Sequence, residues 1–381
     1  MTPGVESVRE LHRVRVLDLL REHGAASRAA LVRATGLSRP TVAGIVADLL
    51  AADAIQEVGT DATGAKGRPS RLFAPVPPPG HALSVDVGHT HVRALVADAS
   101  GRARWERVVN FGQRLAPADA LGEAARLVGE AAADDVVGAA IGLPSPVDPA
   151  GRPTAARFRG LDPLAVLPPG AYPDRIGVHN DADLGAAGEA AFGAGSRFNT
   201  FIYVKISHGL GAGLILDRKL YRGRGYAGNI GHLRVADDGE VCLCGNRGCL
   251  ETVASSNALL RALQPAHPGV PLGFADLVRM ADAADRGTQA LLSDTGRIIG
   301  RALSMLVTTL NPDAIVVGGA LGSLGGALLR GIREALERYS QPAALQDLAV
   351  ITAECGERAE ALGGIAVTLR LVDQFGSVTY R

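Results

Sequence analysis

The chain has 381 residues, of which 47% are hydrophobic and 48 are glycine, so two or three α/β domains are expected rather than one core or a disordered tail. Its 39 basic residues balance 39 acidic ones, which excludes a whole-molecule field that would attract nucleic acid. Residues 1–72 carry only two more basic than acidic side chains, so DNA binding has to be argued from motif. No apolar run approaches membrane-spanning length, and the start Val5-Glu6-Ser7-Val8-Arg9-Glu10 is unlike a signal peptide. Three of the four cysteines are clustered, which suits a metal in a reducing compartment better than a disulfide framework; the chain reads as cytoplasmic. Only Lys66, Lys205 and Lys219 are lysines, a bias we read as genome composition.

Leu11, Val14, Leu17 and Leu20 recur at helical spacing and predict a first helix that stops near His23-Gly24. Ser27 then caps a short helix through Thr35, with Ala30, Leu31 and Ala34 facing inward. Gly36-Leu37-Ser38 is a tight turn, Ser38 caps the next helix, and Pro40 falls in its first turn. Val42, Ile45, Val46 and Leu49 form the buried stripe of that helix, while Ser38, Arg39, Thr41, Ala43 and Gly44 stay outward near the end that meets base edges in a helix-turn-helix. Ile55–Val58 and Arg71–Phe73 predict a β-ribbon wing, with Lys66-Gly67-Arg68-Pro69 between them suited to an A·T-rich minor groove. A plain helical bundle with a solvated ribbon tip is the alternative; the helices and ribbon together favour a winged helix-turn-helix over residues 1–75.

Pro75-Val76-Pro77-Pro78-Pro79-Gly80 supplies a semi-rigid linker, assigned to residues 76–80. Beyond it a strand ending in Asp86-Val87-Gly88-His89-Thr90 returns as Val92–Ala97. A similar hairpin recurs at 200–216, with its turn placed at Gly209-Leu210-Gly211. Two glycine-turned hairpins, each opening an α/β segment, predict a duplicated fold with a first lobe at 81–198 and a second at 199–381, whose last helix returns to the first lobe. Glycines at such turns let backbone amides approach an anion, and Gly318-Gly319 after a buried strand offers a third turn of this kind, although any of these turns alone is also ordinary structure.

Val178-His179-Asn180-Asp181 ends a strand and puts an amide and a carboxylate at its carboxyl end. Such a pair offers hydrogen bonds to a polyol and a base for a hydroxyl; helix capping by Asp181 is the simpler reading of the local residues. Cys242-X-Cys244-X4-Cys249, with His232 ten positions before Cys242, supplies the thiolates and imidazole of a closed structural zinc site. Glu251 is held two residues past the last ligand, and Cys355 reads as a small core residue.

Asp86-X-Gly88-X-Thr90, Asn180-Asp181-Ala182, Gly228-Asn229-Ile230-Gly231-His232 and Cys242-X-Cys244-Gly245-X-X-Gly248-Cys249-X-Glu251 resemble the ROK family of repressors, open reading frames and kinases over nearly the whole chain. The resemblance implies a winged helix-turn-helix followed by an actin-like ATPase (RNase H-like) sugar-kinase fold, as in the family's N-acetylglucosamine and xylose repressors. It implies that Asn180, Asp181, Asn229, His232 and Glu251 face a sugar, with Asp181 the catalytic base in a kinase. It also implies zinc on His232, Cys242, Cys244 and Cys249, and a vestigial nucleotide site at Asp86, Gly88, Thr90, Gly209, Gly211, Gly318 and Gly319. Three departures count against ATP binding and the usual hexose: Asn229 replaces a glutamate, His89 and His91 replace Gly and Lys, and Ser207-His208-Gly209 replaces Gly-Thr-Gly. The expected protein is a sugar-responsive repressor with operator DNA and a sugar effector as partners, acting as a homodimer or dimer of dimers. A ROK sugar kinase carrying a DNA-binding domain and an inactive zinc-stabilised interaction module are the alternatives.

Overall fold

The computed structural model describes residues 5–61, 70–76, 80–112, 114–131, 135–169, 175–324, 326–371 and 373–375. Lys66, Arg68 and the prolines at 77–79 lie outside the described residues. The chain divides into two compact units, residues 1–78 and 79–381.

In the first unit, α1 (Val5–His23), α2 (Arg28–Thr35) and α3 (Arg39–Ala51) are followed by the paired strands β2 (Ile55–Asp61) and β3 (Ser70–Pro75). A two-residue strand β1 (Ala26–Ser27), not anticipated from the sequence, pairs antiparallel with β3 and gives the sheet order β1-β3-β2. Both cap expectations are met: Ser27 accepts from Ala30 N, and Ser38 accepts from Thr41 N. Gly36 takes φ +71°, the left-handed conformation that ends α2. Val42, Ile45, Val46 and Leu49 are buried as expected, against Val16, Leu20, Leu31, Ile55 and Phe73. Two inward assignments are corrected. Val14 is 49% exposed while Val16 is fully buried, and Ala34 is exposed while Thr35 is buried with its hydroxyl on Leu31 O. Thr35 satisfies its polar atom within its own helix, so its methyl can enter the core.

The second unit repeats one connectivity twice. Its first sheet has the order β6-β5-β4-β7-β8, from β4 (His81–Val87), β5 (His91–Ala97), β6 (Ala103–Asn110), β7 (Val136–Leu143) and β8 (Ile176–Asn180). There β4, β5 and β6 form an antiparallel meander, and β7 and β8 extend it parallel to β4. The second sheet has β9 (Phe201–Ile206), β10 (Leu210–Leu216) and β11 (Lys219–Tyr221) as the meander, with β12 (Ala314–Gly318) and β13 (Ala349–Thr352) parallel beside β9. A sixth strand, β14 (Asp373–Phe375), pairs parallel with β11. Helix α4 (Pro117–Glu130) covers the first sheet through Ala120, Ala124, Leu127 and Val128.

Between the sheets run α5 (Asp181–Phe192) and the late helix α13 (Ala359–Thr368). They touch through small residues: a Cβ on Gly363 would stand 1.7 Å from Leu184 O, and one on Gly188 would stand 2.2 Å from Ala359 O. Only glycine allows that approach, so a helix from the end of the chain packs on β4 and β7 of the first sheet as well as on α5. The outer face of the second sheet is covered by α6 (Leu250–Ala254), α7 (Ser256–Leu263), α8 (Phe274–Asp282), α9 (Arg286–Leu310), α10 (Gly319–Gly322) and α11 (Gly326–Tyr339), with the short α12 (Pro342–Leu345) after them. Two copies of one α/β sheet plan around paired helices make the actin-like architecture. No helix among the described residues is long and apolar enough to cross a membrane.

Candidate functional site

The start of β10 organises the site. Its Leu210 and Gly211 pair with Ile206 and Lys205, so Gly211 lies in the strand and not in the turn where the sequence placed it; the turn is Ser207–Gly209. A Cβ on Gly211 would stand 3.3 Å from Ala182 Cβ, which brings β10 against the start of α5. On its other side, Ala212 N donates to Gly228 O, and Leu210 N donates to Glu251 Oε2 at 3.1 Å. The Asn180-Asp181 pair, the Gly228–His232 segment and Glu251 thus converge on three residues of one strand.

Asn180 is the cap of α5, in place of Asp181: its Oδ1 accepts from Ala182 N and Asp183 N. Its Nδ2 donates to Ser145 O and Asp181 Oδ1, both at 3.2 Å, so the whole amide is engaged in this state. Asp181 Oδ2 lies 2.8 Å from Lys205 Nζ, which also meets Glu360 Oε1 at 2.9 Å. Burial disfavours charge on Lys205, but Asp181, Glu360 and Asp86 outweigh it and hold the ammonium well above the ordinary lysine range. Asn229 opens the turn Ile230–His232, and its side chain makes no cap there.

The three glycine turns are in place, and side chains occupy each. Asp86, fully buried, bonds His91 Nε2 at 2.8 Å, and a Cβ on Gly88 would stand 2.3 Å from that imidazole. Thr90 is half-buried, and its carbonyl accepts from Phe111 N. Gly209 adjoins Glu251 and His89, whose ring stacks with His208 at 6.2 Å between centroids. Gly318 is pressed against the Tyr203 ring, and the amide after Gly319 is taken by Ser207 Oγ, which accepts from Ala320 N at 3.0 Å. Packing alone accounts for glycine at 88 and 318.

One imidazole nitrogen of His232 and the Sγ atoms of Cys242, Cys244 and Cys249 all lie within 4.8 Å of one another. Cys242 Sγ is 3.4 Å from His232 Nδ1, and Cys244 Sγ is 3.7 Å from Cys249 Sγ. A tetrahedral zinc with bonds of about 2.0–2.3 Å separates its ligands by roughly 3.5–3.8 Å, so this donor set fits the ion. The loop is shaped for it: Gly248 has φ +69°, and a Cβ there would stand 1.7 Å from Ala236 O. Ligation through Nδ1 leaves Nε2 of His232 for another partner.

Lys205, Glu360, His91 and Arg157 were missed as site residues. Lys205 had a signal, since it is one of three lysines and stands just before an altered glycine turn. Arg157 and Glu360 come from a 3-10 turn (Ala156–Phe158) and from α13, and nothing local marks them. In the first unit, Ser38, Arg39 and Gly44 are exposed and Thr41 is half-buried, with its hydroxyl 2.7 Å from Ser38 Oγ.

Comparison with known proteins places this geometry. The xylose repressor of Bacillus spizizenii is 26% identical over 385 residues, covering 95% of this chain and 96% of that one. A solved ROK family transcriptional regulator, described as a homologue of the E. coli Mlc protein, superposes with a TM-score of 0.71 at 25% identity over 96% of both chains. A ROK family glucokinase from Streptomyces griseus, solved with glucose and AMPPNP, matches 76% of this chain and all of its own at 27% identity and TM-score 0.65. The ROK family model itself matches residues 82–370, and the chain belongs to the ROK family.

Proposed function

We propose that this chain is a sugar-responsive DNA-binding transcriptional repressor that binds a sugar in its second unit without efficient phosphorylation. The observation that carries the reading is one chain joining a ROK domain to a capped helix with an exposed amino-terminal end, as the full-length likeness to named repressors requires. In this reading residues 1–75 are a winged helix-turn-helix, with β2 and β3 the wing. Helix α3 enters the major groove with Ser38, Arg39, Thr41 and Gly44 leading; Lys66 and Arg68, outside the described residues, are assigned to minor-groove contact. Homodimers or dimers of dimers would match a palindromic operator.

In the same reading Asp181, Asn229, His232 and Glu251 hold sugar hydroxyls. Asn180 joins them by exchanging its bond to Ser145 O for one to the ligand. Zinc on His232, Cys242, Cys244 and Cys249 is structural: it fixes the loop that carries His232 and Glu251. The sugar changes DNA affinity to the extent that it binds one state of the protein better than the other. An operator-shift assay with and without a panel of pentoses, hexoses and amino sugars tests this reading.

Sugar phosphorylation is the second reading, favoured by a carboxylate at the end of β8 and by the likeness to a glucokinase. Against it stands the Lys205 ammonium on Asp181 Oδ2, which weakens the basicity of the carboxylate that would take the hydroxyl proton. Sustained ADP release with any sugar of that panel, lost in Asp181→Asn, would establish it.

A further inference from the structure

Near Asp181 and Glu251 stands a guanidinium, Arg157, that bonds no carboxylate among the described residues. Arg157 is half-buried in the turn after β7. Its Nη2 donates to Pro144 O, its Nη1 lies 3.4 Å from His89 Nε2, and its plane stands over the Phe158 ring at 5.0 Å. Among the described residues none of its bonded partners is a carboxylate; Asp181 and Glu251 act on it only through space. Burial and neighbouring Arg114 bring its pKa down to about 10, the mark of a guanidinium held where positive charge is disfavoured.

The surroundings reinforce this. Accepting from Arg157 requires a neutral His89 with an unprotonated Nε2, so its proton sits on Nδ1. Burial, and then Arg157, Arg114, His208 and Lys205, drive its pKa far down, and no carboxylate is among those causes. The carboxylates nearby are already committed: Asp181 to Lys205, and Glu251 Oε2 to Leu210 N. An arginine within reach of a polyol site and without a carboxylate of its own is a vacancy for an oxyanion.

We infer that the effector is a sugar acid, a polyol carrying a single carboxylate that pairs with Arg157 while its hydroxyls face Asp181 and Glu251. The inference rests on the sugar-binding reading above and narrows it. A carboxylate brings one negative charge, whereas a phosphate ester brings nearly two toward Asp181 and Glu251, which repel the second.

The test is calorimetric titration of the zinc-loaded full chain with neutral hexoses and pentoses, their uronic and aldonic acids, and their phosphate esters. A sugar acid should bind about tenfold or more tightly than its neutral parent, the usual strength of a charge-assisted hydrogen bond. Arg157→Gln should bring that ratio to near one, and Arg157→Lys should restore part of it; thermal melts of both variants show whether they fold. Neutral parents binding as tightly as their acids, or a ratio unchanged in Arg157→Gln, overturns the inference and leaves the sugar-responsive reading standing. A phosphate ester preferred over the acid overturns the carboxylate. If nothing in the panel binds, both readings fall.

Discussion

Lys205 Nζ stands 2.8 Å from Asp181 Oδ2 and 2.9 Å from Glu360 Oε1, so one ammonium joins the start of α5 to α13. In the proposed reading, Asp181 offers a carboxylate that can accept hydroxyl hydrogen bonds. The ammonium that bridges Asp181 and Glu360 is itself largely buried. Breaking a buried pair leaves uncompensated charge, so Lys205→Met should destabilise the protein by about 3–5 kcal/mol in denaturant melts. Adding Glu360→Gln should recover part of the loss. A cost under about 1 kcal/mol would mean that the bridge is not formed in solution.

The His91–Asp86 pair sets a pH dependence. Burial opposes charge on both groups, but each partner's charge and hydrogen bond outweigh it, raising His91 above 6.5 and lowering Asp86 below 3.8. A raised histidine contributes stability that is complete below pH 6.5 and is lost as pH rises through its folded value. A lowered carboxylate contributes stability that is present above pH 3.8 and is lost as pH falls through its folded value. The pair is therefore at full strength between pH 3.8 and 6.5. Melting temperature should fall from pH 6.5 to 8.5 by more in the wild type than in His91→Gln; parallel curves would remove the pair from the account.

Zinc should be found at about one per chain in freshly purified protein. Cys244→Ser should lose the metal, lower the melting temperature and abolish the sugar response together, because one loop carries His232 and leads into Glu251. Metal-free wild-type protein with an unchanged melt would contradict this.

Arg39 is exposed and makes no hydrogen bond or ion pair among the described residues, so Arg39→Ala should weaken operator binding by about 1–3 kcal/mol at an unchanged melting temperature. Ser38→Ala differs: its hydroxyl caps α3 and bonds Thr41, so it should also cost about 1 kcal/mol of stability. Equal operator affinity for Arg39→Ala and wild type would take Arg39 out of the readout.

Much of this was legible because the signals are local. Caps at Ser27 and Ser38, the buried stripe of α3, the two glycine-turned hairpins and the cysteine spacing are each fixed by residues a few positions apart. What escaped depends on distant partners. Val16 replaces Val14 in the core because burial depends on where α2, α3 and β3 lie. Glu360 reaches Lys205 only because Gly188 and Gly363 let α13 pack on α5, and Arg157 meets His89 across 68 positions. Gly211 was placed in a turn because glycine marks turns; here it is a strand residue that lets α5 come close.

The most direct test of the account is operator affinity at fixed salt, measured with the full chain against its own upstream DNA, with and without each sugar that raises its melting temperature. At least one such sugar should shift the binding midpoint by about fivefold or more, a coupling of about 1 kcal/mol, with no ADP released in the presence of ATP. Midpoints that coincide at saturating concentrations of every such sugar would contradict a sugar-responsive repressor.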